Sequence, residues 1–155
     1  VDDNRIILVL YGDNPLITAE IISALLSHLV ATDSAIATLC FERDHPNEYG
    51  RIVTDEAGEF LKIVEFKDAS KEEQAINICN SGIMAFGKTV LKKYLPAILS
   101  KNVDNSKELY LTALIKFAKD QGEKVTYLLA PNHDLVLGVN TPQELKEANE
   151  TIAKL

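Results

Sequence analysis

The sequence predicts an α/β layered domain built on a mixed sheet. Three observations predict it. Apolar, β-branched runs alternate with segments of helical periodicity along the chain. Two strand-like runs, "RIVTD" and "FLKIVEF", flank "EAGE" and read as a β-hairpin set inside that alternation. The 155 residues suffice for one domain with a sizeable core, and no internal repeat, low-complexity tract or linker divides them.

The elements follow in order. "IILVLYGDNP" (Ile6 to Pro15) opens with the length and composition of a strand covered on both faces, the kind found mainly in parallel sheets. Gly12 ends it and Asn14-Pro15 forces a turn, so Asp13 is delivered at the carboxyl end of a central strand, where open α/β sheets bind ligands. The bland alternative is that Asp13 only caps the next helix or shapes the turn. Thr18 is a candidate N-cap for a helix in which Ile21, Ile22, Leu25, Leu26 and Leu29 recur at helical spacing. Ser34 to Glu42 reads as a strand, "RDHPNEYG" as a loop, and Gly58 as the turn of the hairpin. "ASKEEQAI" allows one or two helical turns, and "ICNSGIMAF" is a strand with a polar middle. "KTVLKKYLPAIL" is helical with Pro96 near its end, and "LYLTALIKFAKDQG" is an amphipathic helix stopped by Gly122. "KVTYLLA" is a strand, "PNHDLVLGVNT" is irregular, and a final helix starts at Pro142 after Thr141.

The net charge of −7 argues against a nucleic-acid or anionic-membrane binder, though it leaves room for one phosphate ligand held locally. No apolar run approaches membrane-span length. Cys40 and Cys79, the only cysteines, give neither a zinc pattern nor a disulfide framework, and read as buried small residues in a reducing compartment. His28, His45 and His133 lack ligand spacing. The "SKEEQ" and "KEANE" runs read as solvated faces.

One motif misleads. Residues 82–89, "GIMAFGKT", match the phosphate-loop pattern G-x-x-x-x-G-K-[ST]. Such a loop wraps phosphate in exposed backbone N–H groups. Ile83, Met84, Ala85 and Phe86 are instead four consecutive apolar residues and read as strand. No G-x-G-x-x-G occurs, so a dinucleotide site has no support.

What remains is a set of polar residues in apolar or loop contexts. Asp13 ends a strand, Gly50 joins a loop to a strand in "EYGRI", and Glu65 interrupts "KIVEFKD". Asn80 lies inside an apolar run, and Asn140 follows "LVLGV". Each has a bland reading in bonds to backbone.

Taken together, "LYGDNPLI", "NEYGRIV", "IVEFKDAS", "ICNSGIMAF", "ELYLTALI" and "GVNTPQEL" resemble, in order and spacing, the sugar-nucleotide pyrophosphorylases. The resemblance is greatest to the uridyltransferase domain of the bacterial bifunctional N-acetylglucosamine-1-phosphate uridyltransferase and glucosamine-1-phosphate acetyltransferases. It implies a Rossmann-like nucleotidyltransferase fold with a mixed sheet. It implies a cytoplasmic enzyme that transfers a nucleotidyl group from UTP to N-acetylglucosamine-1-phosphate, giving the cell-wall precursor UDP-N-acetylglucosamine and pyrophosphate. Magnesium is the implied cofactor, held by Asp13 and Asn140. Tyr11 and Gly12 fall where the family lines the nucleotide, and Gly50, Glu65 and Asn80 where it contacts the N-acetylglucosamine moiety. Tyr110 and Thr112 fall on its sugar-side "YxT" segment, which usually continues with Asp where this chain has Ala113.

The glycine-rich loop with which the family grips the triphosphate, its base-reading residues, and the hexapeptide repeats of the acetyltransferase half do not occur in the 155 residues. The expectation is therefore a partial nucleotidyltransferase domain, residues 1–155, lacking the fold's N-terminal strands and having little turnover alone. An exposed sheet edge at "IILVLYG" and self-association through it are expected too. A nucleotide-sugar binding module without turnover is the alternative, and a phosphate-loop NTPase a more distant one.

Overall fold

The computed structural model describes residues 5–44, 47–101 and 111–154. Their elements run β1 (Ile6–Val9), α1 (Ala19–Ala31), β2 (Ile36–Glu42), β3 (Arg51–Thr54), β4 (Phe60–Val64), α2 (Lys71–Gln74), β5 (Ile78–Gly87), α3 (Lys88–Lys101), α4 (Thr112–Asp120), β6 (Val125–Leu129) and α5 (Pro142–Ile152). Single 3₁₀ turns occupy Phe66–Asp68 and His133–Val136.

Local signals set most of these bounds. The Thr18 hydroxyl accepts the Ile21 N–H and opens α1. Thr141 and Glu144 form a reciprocal capping box at α5, with Pro142 in its first turn. Gly58, at φ +82°, turns the β3–β4 hairpin, and Gly122, at φ +86°, follows α4. α3 continues through Pro96 to Lys101.

All six strands form one sheet of order β4-β3-β5-β2-β6, with β1 also pairing β5. Among the described strands only β2–β6 is parallel; β1–β5, β2–β5, β3–β5 and β3–β4 are antiparallel. The sheet is covered on both faces. α1 packs Ile21, Leu25 and Leu29 against Ala37, Leu39, Phe41, Ile83 and Ala85. α3 and α4 pack Val90, Tyr94, Ile98, Leu114, Ile115 and Ala118 against Ile36, Cys40, Met84, Phe86 and Val125. Alternation of period two sends neighbouring residues of β2 and β5 into opposite cores.

The strand covered on both faces is β2, whose first six residues are all buried. β1, expected in that role, runs antiparallel to β5 and has no second hydrogen-bonded neighbour among the described strands. Ile7 on it is 38% exposed. An apolar run demands cover but does not encode the direction or number of its partners. Ile83 to Phe86 lie in β5 and are at most 1% exposed, so the phosphate-loop pattern is a buried strand leading into α3.

β5 is the axis of the site. β1 pairs its carboxyl half, Met84 to Gly87, and β3 meets it at Cys79 from the other end. The Asn80 N–H donates to the Gly50 carbonyl at 2.8 Å, and the ladder on that side resumes only at Met84. On the β2 side the register slips between Thr38 and Cys40, so that Ser81, Gly82 and Ile83 stand opposite Leu39 alone. This bulge is the polar middle of "ICNSGIMAF". Gly82 takes φ +84°. The Ser81 hydroxyl donates to the Leu39 carbonyl at 2.7 Å and accepts the Ile83 N–H at 3.1 Å, replacing the lost ladder bonds.

Candidate functional site

The gap beside the bulge is the floor of an open cleft of about 270 Å³. Tyr11, Tyr49, Gly50, Glu65, Asn80 and Thr112 are among its lining residues. Glu65, at the end of β4, accepts the Thr112 hydroxyl on Oε1 at 3.0 Å, which ties the hairpin to the first turn of α4. Its Oε2 would sit 3.4 Å from a Cβ at Gly50, so the glycine leaves room for the carboxylate. Leu111, at the N-cap position of α4, gives no side-chain cap, and Ala113 is exposed. Asn80 receives the Thr38 hydroxyl on Oδ1 at 2.9 Å and the Gly82 N–H on the same oxygen at 3.2 Å. The Tyr11 ring, 46% exposed, lies on Gly82.

A second cluster adjoins β1. Val139 N–H donates to the Asp13 carbonyl at 2.8 Å, and buried Asn14 donates through Nδ2 to the Val136 carbonyl at 3.0 Å. These bonds lace residues 136–139 to the turn after β1. Asp13 and Asn140, 127 residues apart in sequence, thereby converge on Gly138. A Cβ placed there would lie 3.2 Å from Asp13 Oδ2 and 3.3 Å from Asn140 Nδ2. The Asn140 N–H donates to Glu144 at 2.8 Å, so the capping box of α5 fixes its backbone. Because Thr18 caps α1, the Asp13 carboxylate is not spent on the helix, and it is exposed.

One carboxylate and one amide oxygen suit a hard cation that keeps waters and takes its remaining ligands from phosphates. Asn140 turns its amide nitrogen toward the shared space, and a half-turn of the carboxamide presents its oxygen there instead. Both side chains are exposed above a residue without a Cβ, so the pair fits magnesium.

Three contributors to the site were not singled out from sequence. Tyr49 lines both the cleft and the neighbouring hollow that holds Asn140. Its ring packs edge-on against Phe41 at 5.0 Å. Its hydroxyl is buried, with the Gly138 backbone facing it but no hydrogen bond of normal geometry formed. Burial pushes the Tyr49 phenol above its ordinary range, opposed by the Gly138 backbone and Arg43. Arg51 is fully buried. Its guanidinium donates to the Tyr49 carbonyl, to Asn47 Oδ1 at 2.7 Å, to the Asn47 carbonyl at 3.2 Å and to the Gln74 carbonyl at 3.3 Å, and stacks 5.0 Å from the Phe66 ring centre. It therefore fastens the loop carrying Tyr49 and Gly50 to the segment after the hairpin. Thr38, fully buried, is the third. The available signal was a polar residue at an inward strand position, in "GRIV" and in "IATLC".

Of the residues expected from sequence, Tyr11, Gly50, Glu65, Asn80 and Thr112 meet at the cleft, and Asp13 and Asn140 meet at Gly138. Gly12 is exposed in the turn, with open space where a Cβ would go. Tyr110 lies outside the described residues.

Comparison with known proteins bears on the family and the fold. The chain is 40% identical over 147 residues to the bifunctional protein GlmU of Methylococcus capsulatus, covering 95% of this chain and 31% of that protein. It is 40% identical over 149 residues to the bifunctional protein GlmU of a Geobacillus species, covering 96% and 32%. The chain thus spans about a third of the length of the curated relatives it matches. Its fold is shared with the CMP:2-keto-3-deoxy-manno-octonic acid synthetase complexed with CTP, at a TM-score of 0.62 and 19% identity over 96% of this chain and 62% of the other. The family model described as nucleotidyl transferase matches residues 1–152, and the chain belongs to that family.

Proposed function

We propose that the chain carries the metal pair and the sugar-binding half of a magnesium-dependent uridyltransferase site, which joins UTP to N-acetylglucosamine-1-phosphate in the cytoplasm. The observation that carries this reading is the convergence of Asp13 and Asn140 on Gly138 beside the cleft of Gly50, Glu65 and Asn80. A phosphate oxygen of the sugar phosphate attacks the α-phosphorus of UTP. The bond from that phosphorus to the bridging oxygen breaks, and pyrophosphate leaves. Such a transfer asks for positioning and charge neutralisation rather than a covalent protein intermediate. Glu65 accepts from sugar hydroxyls, Asn80 donates to a sugar substituent, and the Tyr11 ring forms a wall beside them. Asp13 and Asn140 would hold magnesium, which when bound neutralises charge on the phosphates and orients them.

The reading is tested by calorimetry of UDP-N-acetylglucosamine with the chain, with and without magnesium, and with Asp13→Ala. Magnesium-dependent binding that Asp13→Ala abolishes, with the fold retained, supports it. Binding indifferent to both magnesium and Asp13 would favour a nucleotide-sugar binding module without turnover.

We extend the proposal to self-association through the outer edge of β1. Ile7 on β1 and Leu10 just after it are 38% and 44% exposed, and an unpaired strand edge is a template for another strand.

A further inference from the structure

We propose that Thr38 is a positioning residue that fixes Asn80 as a hydrogen-bond donor toward the sugar, so that the cleft selects a substituent bearing an acceptor oxygen. The inference rests on the reading of the Gly50–Glu65–Asn80 cleft as the sugar site.

Gly82 turns its backbone N–H toward the Asn80 side chain. A backbone N–H can only donate, so the Asn80 atom it meets at 3.2 Å is the amide oxygen. The Thr38 hydroxyl meets the same atom at 2.9 Å, so it donates too. Both acceptor directions of Asn80 Oδ1 are thereby used on the protein side. Thr38 is fully buried on the face of β2 that also carries Ile36 and Cys40 into the apolar core. A hydroxyl there costs free energy unless it is bonded, and Asn80 supplies the bond. What Asn80 has left is its Nδ2 group, which makes no hydrogen bond among the described residues. Asn80 is half-buried and lines the cleft. The cleft thus receives N–H donors from Asn80 and an acceptor carboxylate from Glu65, whose Oε1 is already engaged by Thr112.

A ligand that places a carbonyl or hydroxyl oxygen against Asn80 is matched, and one that places a donor there faces a donor. The discrimination originates at Thr38, which no ligand touches. Without its hydroxyl only the longer Gly82 bond holds the amide, and the carboxamide is free to present either end.

The test has an arm that needs no ligand. In the chain alone, Thr38→Val removes the donor at nearly constant shape. We expect the Asn80 side-chain amide and carbonyl NMR signals to move, and Thr38→Ser to restore them. Unmoved Asn80 signals in folded Thr38→Val overturn the proposal. In the second arm, calorimetry with UDP-N-acetylglucosamine and magnesium should show Thr38→Val binding about threefold to tenfold more weakly, the effect of one hydrogen bond, with Thr38→Ser restoring affinity. The double variant Thr38→Val/Asn80→Ala should bind no more weakly than Asn80→Ala. If Asn80→Ala leaves affinity unchanged, the sugar-site reading itself falls. If Asn80→Ala weakens binding and Thr38→Val does not, the sugar site stands and the positioning role of Thr38 falls alone.

Discussion

The Tyr11 ring rests on Gly82: a Cβ built there would come within 2.6 Å of Tyr11 Cε2. The contact joins the turn after β1 to the bulge of β5, and only a residue without a side chain allows it at φ +84°. Gly82→Ala is therefore expected to cost about 1–2 kcal/mol of stability, from backbone strain. The half-exposed ring yields rather than the buried strand, so sugar-nucleotide binding should fall more than stability does. Chemical denaturation and calorimetry on the same variant check both.

Arg51 should behave as a structural clamp. Arg51→Met strands the carbonyls of Asn47, Tyr49 and Gln74, and is expected to destabilise by about 3 kcal/mol in urea unfolding. Arg51→Lys keeps the charge but loses the planar fork, so it should recover only part of that. Amide exchange at Gly50 should quicken in both variants before global unfolding.

Tyr49 gives a pH signature. Its folded pKa is raised by burial, so the unfolded chain releases the phenol proton first. The stabilisation is complete below the ordinary tyrosine pKa of about 10 and is lost as pH rises through the higher folded value. Melting temperature measured from pH 8 to 11 should fall less steeply in Tyr49→Phe than in the parent. At neutral pH the same variant removes a buried hydroxyl that lacks a bond, so it should be neutral or more stable by up to about 1 kcal/mol.

Glu144 should act at the other end of the scale. The Asn140 backbone N–H is the largest influence holding its carboxyl below the usual range, with Thr141 assisting. The contribution is present above the unfolded pKa of about 4.3 and disappears as pH falls through the lower folded value. Thr141→Ala should cost about 1 kcal/mol through loss of the cap. Chemical shifts of Asn140 followed from pH 6 to 3 should report its release from Glu144 in the parent chain.

The β1 edge predicts association. Light scattering at high concentration should show a dimer that Ile7→Lys returns to monomer, because a charge on an edge strand opposes pairing. A monomer at every concentration would remove self-association from the proposal.

Legibility in the sequence followed the range of the forces involved. Thr18, Gly58, Gly122, Thr141 and the β3–β4 hairpin were readable because caps and turns are decided within a few residues. The role of β1 was misread because Ile6 to Val9 say nothing of which strand lies beside them. The polar middle at Asn80-Ser81-Gly82 was visible, but its meaning as a bulge depends on the register of β2. The pairing of Asp13 with Asn140 came from ordered motifs, since no local rule joins residues 127 apart. Arg51, Tyr49 and Thr38 act through neighbours brought by the fold, and their spacing in the chain carries little of that.

The interruption of β5 separates two demands that usually compete for the same residues. Where β1 and β3 grip it, each position must serve sheet pairing. Between them, the side chains of Asn80 and Ser81 accept the backbone N–H groups of Gly82 and Ile83, and the Ser81 hydroxyl donates to one carbonyl of β2. Variation in the surrounding walls, at Tyr11, Glu65 or Thr112, can then change the shape and polarity of the cleft without unpicking the ladder. Specificity in such a scaffold is open to change by single substitutions, while the strand that carries it stays in place.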